Sequence, residues 1–364
     1  MSKAYELAKK GEGFTSPNPC VGAVIVKNGK IIGEGWHKKA GQDHAEIMAI
    51  KSAKSSVEGA DLYVTLEPCC HVGKTGPCTE AIIKAGIKNV FIGMKDPFMN
   101  VNGKGIKILG KNGIKVEVLN SKSELAINIR KINQPFLKWA SNGLPYLTLK
   151  AGMSLDGKIA TSARESKWIT GEKSREDAYV ERGKYDAIIV GAGTVSADDP
   201  ELQNHGQYKA KKILRIVVDE NLDLGLKYKV FKDKNVLVVC TNDASEKNKN
   251  KFIKAGIDFK SFGKKMSVGK LLKFLAERDV QSIIVEGGSQ THGMFYDAAL
   301  NDKNLLDKVL FYIAPKIIGG ENALPVIGGS GIKKLSEARE ALEIEVEAGK
   351  TGKDLKYMAV FNRY

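Results

Sequence analysis

The sequence predicts an α/β protein of two domains, and three observations carry that expectation. Short apolar runs rich in strand formers alternate with segments of helical apolar spacing in both halves of the chain, the pattern of layered α/β folds. The 364 residues exceed what one hydrophobic core ordinarily supports. No internal repeat is visible at the periods of roughly 20–50 residues that mark repeat architectures, so the halves read as different domains rather than a duplication.

In chain order, VGAVIVKNGKIIG (21–33) places two apolar runs around Asn28-Gly29, a pair that accepts the positive φ angles of a two-residue hairpin turn. HAEIMAIKSAK (44–54) has helical spacing, and ADLYVTLEPCC (60–70) reads as a buried strand. Pro77 suits the first turn of a helix and Gly86 its end, bracketing PCTEAIIKAG. KNVFIGM (88–94) and IKVEVL (114–119) complete a domain of residues 1–120. Residues 121–143 are expected to bridge to a second domain, 144–364. There the predicted strands are PYLTLKAG, YDAIIVGAG, LRIVVD, NVLVVC, QSIIVEGG and KVLFYIAP, with helices at 172–183 and near 268–278. The lysine-rich SEKNKNKFIK (245–254) is a solvated helix face or a loop.

Composition narrows the class. With 43% hydrophobic residues, no apolar leader at the start and no run of the roughly 18 apolar residues a membrane span needs, a soluble cytoplasmic protein without a membrane partner is expected. Five cysteines, three within ten positions, favour metal or redox chemistry over a disulfide framework. The net charge of +15 favours anionic partners, whether nucleic acid or phosphorylated metabolites, and does not choose between them.

Zinc catalysis needs three protein ligands and one open position. His44, Cys69 and Cys78 supply three, each expected near the end of an element, so that they converge. Glu46, two residues past His44, is placed to take a proton from water and deliver it to a leaving amine. His-x-Glu followed by Pro-Cys and a later Cys is the arrangement of zinc nucleobase deaminases, although their cysteines are ordinarily two residues apart and here CHVGKTGP intervenes. Cys70 or His71 as a fourth ligand would close the site and make it structural; that alternative leaves Glu46 and the TLEPC context unexplained.

These motifs together resemble a known family, the bifunctional deaminase/reductase of riboflavin biosynthesis. The resemblance runs nearly end to end. In the first domain it rests on TSPNPCVGAVIV (15–26), GEGWHKKAGQDHAE (33–46) and TLEPCCHVGKTGPC (65–78), whose long gap between cysteines is what the family shows. In the second it rests on LTLKAGMSLDGKIAT (147–161), SKWITG (166–171), DAIIVGAGTVSADDPEL (186–202) and IIVEGGSQTHGMF (283–295). The resemblance implies a cytidine-deaminase-like three-layer domain followed by a dihydrofolate-reductase-like α/β domain, with Zn2+ and NADPH as cofactors. It implies that the first domain replaces the 2-amino group of 2,5-diamino-6-ribosylamino-pyrimidinone 5′-phosphate with oxygen, and that the second reduces the ribosyl group to a ribityl chain.

Carried over position by position, the resemblance gives Asn18, His37, His71 and Lys74 to the deaminase substrate. Ser166, Arg182, Leu202 and Glu286 fall at reductase substrate positions, with Lys150 a further candidate. Gly152, Trp168, Thr170, Thr194 and Asp198 fall at cofactor positions; Gly287 and Gly288, after a strand, suit the approach of backbone amides to a pyrophosphate. Taken alone, Gly191-Ala192-Gly193 is a weak dinucleotide signal. One position departs: His205 stands where the family usually has an arginine for the substrate phosphate, so either Lys209, Lys211 or Lys212 compensates or the reductase half is weakened. The competing reading is a zinc deaminase acting on RNA or DNA, against which the glycine-rich strand ends suit a dinucleotide pocket better. The expected partner is a small phosphorylated pyrimidine, not nucleic acid, and a homo-oligomer is expected from the family and from the frequency of symmetric assemblies.

Overall fold

The computed structural model describes residues 1–71 and 76–364. The chain forms two compact units, residues 1–143 together with Tyr364, and residues 144–363.

The first unit runs α1 (Ser2–Lys9), β1 (Gly22–Lys27), β2 (Lys30–Trp36), α2 (Ala45–Lys51), β3 (Asp61–Val64), α3 (Cys78–Lys84), β4 (Asn89–Ile92), α4 (Lys104–Lys111), β5 (Lys115–Val118), α5 (Glu124–Ile132) and α6 (Gln134–Asn142). Its sheet has the order β2-β1-β3-β4-β5; β1 is antiparallel to both its neighbours and the rest is parallel. Asn28 and Gly29, at φ 51° and 72°, turn β1 into β2 as expected. Side chains alternate across β1: Ala23 and Ile25 pack with Ala49, Ile82 and Leu109 from the helices on one face, while Val24 packs with Ala4 and Leu7 of α1 on the other. The result is three layers.

Residues 121–143, read from the sequence as a bridge, fold as α5 and α6. Ile129, Phe136 and Leu137 bury against Leu66 and Met94, an apolar spacing that the surrounding Ser, Asn and Lys mask in the sequence. Pro77 stands at the position capping α3 rather than inside its first turn.

The second unit runs β6 (Tyr146–Ser154), β7 (Lys158–Ala160), α7 (Glu172–Gly183), β8 (Ala187–Gly191), α8 (Ala192–Asp198), β9 (Leu214–Val218), β10 (Val236–Cys240), α9 (Glu246–Ala255), β11 (Asp258–Ser261), α10 (Val268–Ala276), β12 (Ser282–Val285), α11 (Ser289–Asn301), β13 (Lys308–Ala314), β14 (Leu324–Pro325), β15 (Glu343–Gly349) and β16 (Gly352–Val360). Nine strands form one sheet, β11-β10-β9-β8-β12-β6-β13-β16-β15, parallel as far as β13 and closed by the antiparallel pair β16 and β15; β14 and β7 form a separate ribbon. Both faces of the parallel part are covered. Ile189, Ile283 and Val285 face the α10 and α11 side with Leu271 and Phe295, while Ile188, Val190 and Ile284 face the side of Val195 and Phe252. Strands buried on two faces read as continuous apolar runs, which is why IIV and VLVV were legible. The chain ends of β6, β8 and β12 in this sheet carry the groups described next.

Candidate active sites in the two units

In the first unit His44 caps α2 with extended backbone (φ −73°, ψ 164°), Cys78 opens α3, and Cys69 lies in the segment after β3. Their ligand atoms all lie within 4.8 Å of one another. His44 Nδ1 is 3.5 Å from Cys69 Sγ and 3.3 Å from Cys78 Sγ. A tetrahedral zinc about 2.3 Å from sulfur and about 2.0–2.1 Å from nitrogen needs sulfur–nitrogen separations of about 3.5 Å, so the donor set fits that metal without rearrangement. The Cys78 thiol donates to Cys69 and, with His44, holds the Cys69 thiol down to about 4 against the opposing effect of burial; Cys78, as donor, is pushed up. Cys70 turns to the Asn100 carbonyl at 3.7 Å and is not part of the cluster.

Glu46, on the first turn of α2, is buried, and burial followed by the Cys69 charge pushes its carboxyl up to about 7. A carboxyl that exchanges its proton near neutrality can serve as both base and acid. The Asn18 amide donates to His37 Nε2 at 3.0 Å, and His37 Nδ1 donates to the Asp43 carbonyl at 3.1 Å. This arrangement leaves His37 neutral, as burial also favours, with its ring 5.2 Å from that of His44. The Asn18 segment is itself tethered from the junction of α5 and α6: Asn133 accepts from Cys20 N at 2.7 Å and donates to Cys20 O at 3.1 Å. His71 is exposed, 6.4 Å ring to ring from Phe98, and Lys74 lies outside the described residues.

Two carboxylates were not singled out by sequence reasoning. Glu67 accepts backbone N–H bonds from Asp96 (3.3 Å), Gly103 (2.9 Å) and Ile106 (3.2 Å), which anchors the chain two residues before Cys69. Asp96 is buried and pushed up to about 7, first by burial. The TLEPC motif held the signal for Glu67, whereas Asp96 lies in DPFMN, which carries no metal or proton pattern.

In the second unit Glu286 follows β12 and meets Arg182 from the last turn of α7 in a two-pronged contact, Nε to Oε1 and Nη2 to Oε2, both 2.9 Å. Lys150 of β6 reaches the same carboxylate at 3.3 Å. Burial opposes ionisation of Glu286, but Arg182 and Lys150 outweigh it and hold the carboxyl at about 2. Arg182 also donates to the Gln203 carbonyl at 3.1 Å, next to Leu202, which is buried at φ 55°. His205 stacks on Tyr179 at 4.3 Å, and the Arg182 guanidinium lies 5.2 Å from that same ring. Lys211, one of three lysines considered as a substitute cation, donates instead to the carbonyls of Gly183 (3.0 Å) and Tyr185 (2.7 Å).

A cradle of glycines surrounds the neighbouring strand ends. A Cβ on Gly287 would lie 2.5 Å from Thr291 Cβ, and one on Gly191 would lie 2.4 Å from Thr291 Oγ1. A Cβ on Gly152 would press Thr170 Oγ1 at 3.0 Å, and one on Gly288 would stand 3.6 Å from Thr194 Oγ1. Backbone stripped of side chains beside the start of the 13-residue α11 is suited to a pyrophosphate, so the donor set fits a dinucleotide. Trp168 is 61% exposed, with the Arg175 guanidinium 4.4 Å from its ring centroid, and Lys167 pairs with Asp198 at 2.8 Å. Ser166 is half-buried.

Residues 1–94 match the cytidine and deoxycytidylate deaminase zinc-binding region, and residues 145–352 match the RibD C-terminal domain. The chain is 40% identical to riboflavin biosynthesis protein RibD of Bacillus amyloliquefaciens (99% of this chain, 95% of that protein) and 40% identical to RibD of Aquifex aeolicus (100% and 98%). Among solved structures it is similar to a diaminohydroxyphosphoribosylaminopyrimidine deaminase/5-amino-6-(5-phosphoribosylamino)uracil reductase of Thermotoga maritima, at 36% identity and TM-score 0.83 over 99% of this chain and 97% of that one. It is similar also to RibD of Acinetobacter baumannii, at 33% identity and TM-score 0.86 over 100% and 98%. A zinc-binding deaminase unit and an NADPH-binding reductase unit, joined in one chain and matched across nearly its whole length, make this protein a member of the RibD family, the bifunctional deaminase and reductase enzymes of riboflavin biosynthesis.

Proposed function

We propose that the first unit hydrolyses the 2-amino group of 2,5-diamino-6-ribosylamino-pyrimidinone 5′-phosphate and that the second reduces the resulting ribosylamino compound to its ribitylamino form. The observation that carries the first half is a buried carboxyl, Glu46, two residues from His44 in a His-Cys-Cys cluster of zinc dimensions. His44, Cys69 and Cys78 hold the metal. Zinc, when bound, supplies a Lewis acid that makes hydroxide available near neutral pH. Glu46 takes one proton from the attacking water and gives it to the departing amine, so that water is consumed and ammonia released. Asn18 and neutral His37 hold the substrate beside it, and His71 and Lys74 are the further substrate-binding residues.

In the second unit Gly152, Trp168, Thr170, Thr194, Asp198, Gly287 and Gly288 hold NADPH, which when bound supplies the hydride. Glu286 orients Lys150 and Arg182 towards the sugar; Lys150 is the proton donor for the ring oxygen freed as C1′ is reduced. Ser166, Leu202 and His205 complete the substrate side. With Lys211 spent on carbonyls, His205 held by Tyr179 is the side chain that faces the phosphate. The enzyme works in the cytoplasm and as a homo-oligomer. Its substrate is the mononucleotide, not RNA or DNA.

The test is sequential turnover of the diamino-pyrimidinone ribotide by zinc-loaded protein, ammonia first and NADPH consumption second, beside Glu46→Gln. We expect the variant to lose ammonia release by about 10²–10⁴-fold while keeping zinc and still oxidising NADPH on the deaminated compound. Ammonia from an RNA oligomer but not from the ribotide would overturn the assignment.

A further inference from the structure

Arg182 meets Glu286 only where α7 puts it, and α7 is held on its sheet mainly by polar contacts. The buried residues of the helix are Ser174, Ala178, Glu181, Arg182 and Gly183, of which Ala178 alone has a hydrocarbon side chain. An amphipathic helix ordinarily seats itself through a whole stripe of such side chains. Here three alternate residues of β16, on one face of the strand, take over that role. Asp354 accepts from Gly171 N at 2.7 Å and from Ser174 Oγ at 2.6 Å. Lys356 donates to Asp177 at 2.8 Å and to Glu181 at 2.9 Å, and Met358 packs with Ala178.

The middle rung is a cluster of charges with no role in the chemistry above. Tyr312 of β13 stands opposite Lys356 in the sheet and donates to the same Asp177 oxygen at 2.6 Å. Its buried ring lies 5.8 Å from Lys150 Nζ, so the cluster borders the Glu286 site. Burial works against the Lys356 ammonium, but Glu181 and Asp177 outweigh it and hold its pKa above the ordinary lysine value. Lys356 is therefore a buried cation fixed between two carboxylates one helical turn apart, and displacing it would leave buried charge unpaired. Glu181 immediately precedes Arg182, so Lys356 grips α7 directly beside the residue that reaches Glu286.

We propose that Lys356 is a positioning residue of the reductase reaction: by gripping Asp177 and Glu181, with Tyr312 sharing Asp177, it fixes the rotation of α7 and so aims Arg182 at Glu286 and the substrate. The proposal rests on the reductase reading above. A small rotation of the helix carries the Arg182 guanidinium off its two-pronged contact, whose strength depends on alignment.

One test is independent of turnover. Arg182 Nε–H, bonded to Glu286, should give a protected signal in nitrogen-15 spectra of the full-length protein, assigned by its loss in Arg182→Lys. In Lys356→Met, which leaves Glu181 its contact with Lys184, that signal should shift and exchange about tenfold faster. An unchanged Arg182 signal overturns the proposal, whether or not the protein uses NADPH. The second test is kinetic. In Lys356→Met, KM for the deaminated ribotide should rise and kcat for NADPH oxidation should fall, each about tenfold, while KM for NADPH stays as in the wild type. Loss of kcat with both KM values unchanged is what a smaller folded fraction gives, and it overturns the proposal. If Lys356→Met does not fold, Tyr312→Phe decides, because it keeps every charge and the ring and removes only one bond to Asp177. It should raise KM for the deaminated ribotide about threefold; a wild-type value overturns the proposal.

Discussion

Glu286 is a carboxyl that burial alone would keep protonated, and two cations reverse the outcome. Its pKa falls from an ordinary 4.5 to about 2 in the fold. A depressed carboxyl stabilises the native state above its unfolded pKa, and that contribution is lost as pH falls from about 4.5 through about 2. For this pair the contribution is on the order of 3 kcal/mol. Glu286→Gln should destabilise the second unit by about 3–5 kcal/mol at neutral pH, because the buried Arg182 loses its counter-charge, and the deficit should shrink towards pH 2. Urea titrations read by exchange-labelled peptides covering 282–286 measure this; a deficit that does not change with pH would contradict it. The motif around Glu286 was visible in the sequence, but its partners were not. Arg182 is 104 positions away and Lys150 is 136 away, and spacing along a chain says nothing about which β-strand ends become neighbours. His44, Cys69, Cys78 and Glu46 were easier to recognise together, because metal ligands must be of particular types and the proton carrier sits two residues from a ligand.

The hairpin of β1 and β2 shows how packing between elements supports a site. Gly35 on β2 lies so close to α2 that a Cβ there would meet Ala45 O and Ala49 N at 2.4 Å, both of them backbone. The neighbour cannot yield without moving the helix that starts at His44. Gly35→Ala should therefore lower zinc occupancy and deamination together, at a cost of about 1–3 kcal/mol to the first unit, while NADPH oxidation on the deaminated compound persists. Zinc quantified per chain after dialysis decides this; full occupancy would show that α2 adjusts without disturbing His44. The same region marks what pattern reading could and could not find. Asn28-Gly29 announced its turn through backbone chemistry, and the doubly covered strands announced themselves as apolar runs. By contrast α5 and α6 bury few side chains in polar sequence, and Gly293 inside α11 lowers local helix propensity because its role, close approach to Gly328 and Gly329, is tertiary. The β15–β16 pair was missed for a related reason: EIEVEAG alternates strictly, yet its apolar half is largely not buried within this chain.

That exposed alternation bears on how whole molecules assemble. In the second unit β15 is the edge of the nine-stranded sheet, and Leu342, just before it, and Ile344 and Val346 along it are 60%, 55% and 55% exposed, with Leu355 of the adjoining strand also open. Ile344 and Val346 stand opposite Ala359 and Tyr357, so they extend a face that is already packed further in. We propose that this apolar strip, which continues a core face outward, is the surface a second copy covers in an isologous dimer. The intervening Glu343, Glu345 and Glu347 point to the other face. Two such edges paired strand to strand would bring like charges together, which disfavours a continuous intermolecular sheet and favours packing through the apolar face. The double substitution Ile344→Lys, Val346→Lys should then reduce the mass of the particle measured by sedimentation to that of one chain. Ammonia release should persist, because the zinc cluster lies wholly in the other unit. An unchanged assembly in the double variant would move the interface elsewhere, and a single-chain mass for the unaltered protein would remove the oligomer altogether.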